Sequence, residues 1–85
     1  PLQKNMKVMD FGCGTGLVTL ELAENVKSIS AYDSSRGMLD VLERKIKAAN
    51  TGNIYPFFIE TASEIHTHEQ FDLIISNMAL HHVAD

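Results

Sequence analysis

Residues 8–16 of this 85-residue chain, Val8-Met9-Asp10-Phe11-Gly12-Cys13-Gly14-Thr15-Gly16, end an apolar run in an acid and then break into three glycines set two apart. Glycine adopts backbone angles that a Cβ forbids and lets a ligand approach the main chain closely, so such a loop can cradle a small molecule. Its exposed N–H and C=O groups can hold a carboxylate and an ammonium, and Asp10 adds an anionic acceptor beside them. Residues 17–24 continue with helical apolar spacing, so the loop opens a helix whose first N–H groups face the same ligand. The alternative is a tight strand-to-helix turn that binds nothing.

Spacing narrows the ligand. Dinucleotide-binding loops read G-x-G-x-x-G, with the third glycine three positions after the second. Here it comes two positions after, at Gly16, and Leu17 stands where that pattern has glycine. A second acid, Asp33, closes the apolar run 28–32 at the distance where a carboxylate on the neighbouring strand meets a ribose. It can pair with two adjacent hydroxyls at once, or it can serve as an acid at the N-terminus of the next helix. A ribose-bearing ligand is the expectation, and Leu17 disfavours a nicotinamide dinucleotide.

The elements that position these residues alternate regularly. Strand-like runs at 6–11, 28–33, 53–60 and 71–76 are separated by helical segments at 17–25 and 35–49 and a short one at 62–66, which is the pattern of a parallel α/β sheet. Ser34 or Ser35 can cap the second helix, and Asn50-Thr51-Gly52-Asn53 stops it. Pro56 cannot donate to a ladder, so the third strand belongs at an edge or carries a bulge. The basic cluster Arg44, Lys45 and Lys47 lies opposite Met38, Leu39, Leu42 and Ile46 and reads as a solvated helix face.

Taken together, D-x-G-x-G-x-G from Asp10 to Gly16, the acid at Asp33, and Phe71-Asp72-Leu73-Ile74-Ile75-Ser76-Asn77-Met78-Ala79-Leu80-His81-His82-Val83 resemble the class I S-adenosylmethionine-dependent methyltransferases. The last segment resembles their small-molecule branch, which includes quinone-biosynthesis methyltransferases. The likeness runs from Lys7 to Val83. It implies a Rossmann-like parallel sheet of order 3-2-1-4, truncated relative to the family's seven strands, with residues 1–85 forming a partial domain. It also implies S-adenosyl-L-methionine as cofactor, held by Asp10, Gly12, Cys13, Gly14 and Gly16 at its methionine end and by Asp33 at its ribose.

Ser34 and Met38 then lie on the adenine side, unless they are ordinary capping and core residues. Where the family has an acid followed by alanine after its third strand, this chain has Thr61 and Ala62, with Glu60 one position earlier. Either Glu60 substitutes for the acid, or Thr61 and main-chain groups with Ala62 hold the base. Asn77 falls against the cofactor, and Met78-Ala79 replace the prolines of the motif that marks exocyclic-amine transfer. His81 is the candidate general base, with pocket-lining or capping as its other reading. Adjacent histidines on a helix diverge by about 100°, so His81 and His82 do not make a metal pair, and no metal is expected. His66 and His68 read as loop residues.

Composition sets the remaining bounds. A net charge of −4 argues against tracking a nucleic-acid backbone, which needs clustered cations. The single cysteine, Cys13, excludes an internal disulfide and fits a reducing compartment; it reads as a small filler, since no partner for activating it is evident. No apolar run approaches the ~18 residues of a membrane span, and the expectation is a soluble, cytoplasmic protein with no membrane partner. The apolar fourth strand would leave an open edge and a route to self-association. The functional expectation is methyl transfer to an oxygen or carbon of a small molecule, the chain being a cofactor-binding fragment that is inactive alone. A non-catalytic cofactor module and a nicotinamide-dependent dehydrogenase fragment are the alternatives.

Overall fold

The computed structural model describes residues 3–13, 16–65 and 70–76. Its elements are β1 (Lys7–Phe11), α1 (Leu17–Ala23), β2 (Ser28–Asp33), α2 (Arg36–Ala49), β3 (Ile54–Phe58), a 3-10 turn at Ala62–Glu64, and β4 (Leu73–Ser76). All strands are parallel, in the order β3-β2-β1-β4. The α/β class and the strand order expected from the sequence are those observed. The third and fourth strands are shorter than their apolar runs, and the expected short helix is a single 3-10 turn.

Alternation along the strands divides the sheet into two faces. Val8, Ile29, Ala31 and Ile54 point to one side, where Ala23 of α1 and Leu39 and Leu42 of α2 complete a core with Cys13 and Val26. Both helices thus cover the same face, as right-handed crossovers stepping outward from β1 require. The opposite face carries a stack of Tyr32 on Phe57, centroids 5.0 Å apart. Among the described residues it leaves Tyr55, Phe57 and Ile74 exposed. Pro56 pairs in register with Ala31 on the outermost strand, the placement its missing donor dictates.

Caps fix the connections. The Ser35 hydroxyl accepts from the Met38 N–H at 3.2 Å to start α2, and Asn50, in the left-handed region at φ 56°, ends it. The Asn53 side chain donates to the Ala23 and Val26 carbonyls at 2.8 and 3.2 Å, which satisfies orphan acceptors at the end of α1. Lys7 and Asp72 are clasped twice: the Lys7 N–H donates to Asp72 Oδ2 and the Asp72 N–H to the Lys7 carbonyl, each at 2.8 Å. This clasp sets the start of β4 against the start of β1. Arg44 and Lys47 are exposed on α2, as expected of a solvated face, while Lys45 is half-buried. No helix among the described residues is long and apolar enough to cross a membrane.

Candidate functional site

In a parallel sheet the carboxyl ends of all strands lie at one edge, and here the chain first steps outward through β2 and β3, then returns to the far side of β1 for β4. That reversal places the crevice for a ligand above β1. Phe11 at the end of β1 pairs with Tyr32 on one side and Ser76 on the other. The glycine loop therefore emerges between the ends of β2 and β4.

The loop is built differently from the sequence expectation. Gly12 has φ 81°, a left-handed conformation that favours glycine, and its N–H donates to the Tyr32 carbonyl at 2.7 Å. The Cys13 N–H donates to the same carbonyl at 3.1 Å. These two amides extend the β1–β2 ladder instead of standing bare for a carboxylate. Gly16 closes the turn, its N–H reaching the Cys13 carbonyl at 3.0 Å, and starts α1 at φ 82°. A Cβ there would run into the side chain of buried Leu42, so packing accounts for this glycine whatever ligand the loop holds. Leu17, where a dinucleotide loop would have glycine, is an exposed first residue of α1.

Acceptors dominate the described part of the site. Asp10 is fully buried at 0% exposure, and its Oδ2 accepts from the Thr19 hydroxyl at 2.6 Å. Its Oδ1 is buried and has no hydrogen-bond partner among the described residues. Burial pushes the Asp10 carboxyl above the usual carboxylate range; the bond from Thr19 opposes that push, and the charge of Asp33 adds to it. Asp33 follows Ala31, the register partner of Asp10, by two residues, so both acids project from the same face of the sheet. Cys13 lies within the field of both: burial, then Asp10 and Asp33, push its thiol up to about 12. It is a buried filler, not a nucleophile.

Of the two roles left open by the sequence, the structure shows Asp33 in the one at the head of α2. Its Oδ1 accepts from the Ser35 N–H at 2.9 Å, which stiffens the turn into α2. Beyond it, Ser34 and Met38 are both exposed, so neither is a core residue; Met38 departs from the apolar face of α2, which buries Leu39 and Leu42. The segment after β3 is tied to the same edge by the bond from the Ile59 N–H to the Asp33 carbonyl, 3.0 Å. There the exposed Glu60 and Thr61 present their N–H groups to Glu64 Oε2, each at 3.1 Å, and the Thr61 hydroxyl bonds that of Ser63 at 2.8 Å. Ala62 opens the 3-10 turn. The structure thus brings Asp10, Gly12, Cys13, Asp33, Ser34 and Thr61 to one edge of the sheet. Gly14, Asn77 and His81, with His66, His68 and His82, lie outside the described residues.

Two participants were missed by sequence reasoning. Thr19 carried a readable signal: a polar residue on the inward side of α1, three positions after the last glycine. Glu64 carried none beyond its charge.

The sequence profile of the methyltransferase domain matches residues 8–85. The chain is 38% identical over 47 residues to ribosomal RNA small subunit methyltransferase A of Mesomycoplasma hyopneumoniae, covering 55% of this chain and 18% of that protein. It is 32% identical over 82 residues to ubiquinone biosynthesis O-methyltransferase of Bartonella tribocorum, covering 95% of this chain and 32% of that protein. Among solved structures, phosphoethanolamine N-methyltransferase 1 of Haemonchus contortus, in complex with phosphoethanolamine and S-adenosylhomocysteine, superposes with a TM-score of 0.80 at 26% identity, over 89% of this chain and 16% of that one. The chain therefore spans a third or less of the length of these proteins. With sheet order, glycine loop and paired acids in agreement, it belongs to the class I S-adenosylmethionine-dependent methyltransferase family.

Proposed function

We propose that the protein transfers a methyl group from S-adenosyl-L-methionine to an oxygen or carbon of a small molecule, and that these 85 residues supply the cofactor-binding part. The observation that carries this reading is Asp10, buried with one carboxylate oxygen unpartnered among the described residues, beside Asp33 at the switch point of a methyltransferase-family sheet. An acceptor-rich edge of the sheet suits a ligand that is cationic at one end and a diol donor at the other. Asp10 would take the ammonium, Asp33 the ribose hydroxyls, and Ser34, Met38, Thr61 and Ala62 the adenine side, with Gly14 and Asn77 completing the cradle.

When bound, the donor supplies a methyl on a sulfonium, whose leaving group needs no activation by the protein. The chain's residues hold the two ends of the donor, fix its direction and keep water from the reacting line. His81 is proposed as the base that takes the acceptor's proton where the acceptor needs one. The ubiquinone-biosynthesis relative supports a small acceptor, and a net charge of −4 weighs against a nucleic-acid substrate. The ribosomal RNA methyltransferase relative is the ground for testing RNA directly. A reducing, cytoplasmic setting is proposed from the free thiol of Cys13.

Calorimetric titration of S-adenosylhomocysteine into the full-length protein tests the cofactor, and radiolabelled donor offered with a metabolite panel and with ribosomal RNA tests the acceptor. Tight binding and label on a metabolite are expected. Binding of a nicotinamide dinucleotide with no response to S-adenosylhomocysteine would replace this reading. Residues 1–85 alone are expected to bind weakly and to transfer nothing.

A further inference from the structure

Thr19 is fully buried in α1, on the side of the helix that also buries Ala23. A valine of the same shape would fill that space without taking a hydroxyl out of water. The hydroxyl instead reaches across nine positions of sequence to Asp10 Oδ2 at 2.6 Å, a length typical of a hydroxyl donating to an ionised carboxylate. A buried carboxylate needs donors on both oxygens, and among the described residues Asp10 has one, on Oδ2, and lacks the other.

We infer that Thr19 is a positioning residue for the methyl donor: its hydroxyl anchors Asp10 through Oδ2 and leaves Oδ1 to accept the donor's ammonium, directly or through one water. The inference rests on the proposed donor. The surroundings of Asp10 support it. Among the described residues, Asp33 of β2 and the Cys13 thiol are the titratable groups whose interactions reach Asp10, and neither is a cation; its register partners, Ala31 on β2 and Ile75 on β4, are apolar. Thr19 is thus what favours the charged form of Asp10 against burial and the charge of Asp33. Without it, Oδ2 loses its donor, neither carboxylate oxygen has a partner among the described residues, and the acid takes up a proton at higher pH.

Calorimetry of S-adenosylhomocysteine binding to the full-length protein, repeated from acid to alkaline pH, tests this with Thr19→Val, Thr19→Ser, Asp10→Asn and the Thr19→Val/Asp10→Asn pair. The valine variant is expected to bind about tenfold more weakly near neutrality, the loss expected for one charge-assisted hydrogen bond. Its affinity should begin to fall at a higher pH than that of the natural protein. Serine should restore both affinity and profile to within about twofold. Asparagine at position 10 should flatten the profile, and adding valine at 19 should then change nothing further. The inference is overturned if valine leaves the profile unmoved, or if it weakens binding equally in the Asp10→Asn background, which is a packing loss alone. Should valine fail to fold, the serine and asparagine variants still decide, since serine must retain and asparagine must abolish the pH dependence. A natural protein that ignores S-adenosylhomocysteine removes the donor reading itself, a result distinct from equal binding by natural and valine forms.

Discussion

Gly16 and Leu42 face each other with no room for a Cβ between them. Because Gly16 also holds φ 82° at the start of α1, alanine there meets both a backbone penalty and a collision with a side chain that is itself fully buried. Gly16→Ala is expected to destabilise the fold by about 1–3 kcal/mol in urea unfolding. Leu42→Ala alone should cost about 2–5 kcal/mol by leaving a cavity. The two changes together should cost less than their sum, since the new methyl enters the space the leucine vacates; strict additivity would show that the glycine is needed for its angle only.

Asp10→Asn should separate stability from binding. The folded-state carboxyl titrates above its ordinary value of 3.8, so its protonated form stabilises the fold below that value, and that contribution is lost as pH rises through the folded-state value. At neutral pH the ionised group therefore opposes folding, and asparagine removes the buried charge while still accepting from Thr19. The variant is expected to gain on the order of 1 kcal/mol near neutrality, with the gain vanishing in acid, while its affinity for S-adenosylhomocysteine falls. Unfolding midpoints measured across pH check the sign.

Asp33 holds the turn that leads into α2 and is proposed to hold a ribose, and two variants distinguish these roles. Asparagine can still accept from the Ser35 N–H, so Asp33→Asn should keep stability within about 0.5 kcal/mol and weaken S-adenosylhomocysteine about tenfold. Alanine should lose about 1 kcal/mol of stability as well. If asparagine binds as the natural protein does, the carboxylate serves α2 alone.

Cys13, with its thiol pushed up to about 12, is almost wholly protonated at neutral pH and is buried. A thiol-reactive probe should modify it at least about a hundredfold more slowly in the native protein than in urea. Bound S-adenosylhomocysteine should slow the native reaction further.

The sheet was legible in the sequence because its determinants are local. Alternating apolar runs, Pro56 on the outer strand and Ser35 at the head of α2 each act within a few residues of themselves. The acids were legible too, because a carboxylate at a strand end has few reasons to be there. What was not legible depends on residues distant in sequence. The amides of Gly12 and Cys13 are taken by Tyr32, a partner that only strand pairing reveals. Met38 lies within the helical spacing of Leu39 and Leu42 yet stays exposed in the first turn of α2, which only the packing of the helix on the sheet decides. The bond of Thr19 to Asp10 exists only once α1 has folded back over β1.

The double clasp of Lys7 and Asp72 spans 65 positions of sequence, so it forms only after the residues of β1, β2 and β3 have all been synthesised. Contacts of such long range are entropically late events in folding. While β1, β2 and β3 can assemble from neighbouring segments as they leave the ribosome, β4 must wait for its residues and then zip upward from the clasp toward Ser76. The Ser76 side of the ligand-binding rim lies at the far end of that zipper, so it takes shape after the side built by the ends of β1 and β2.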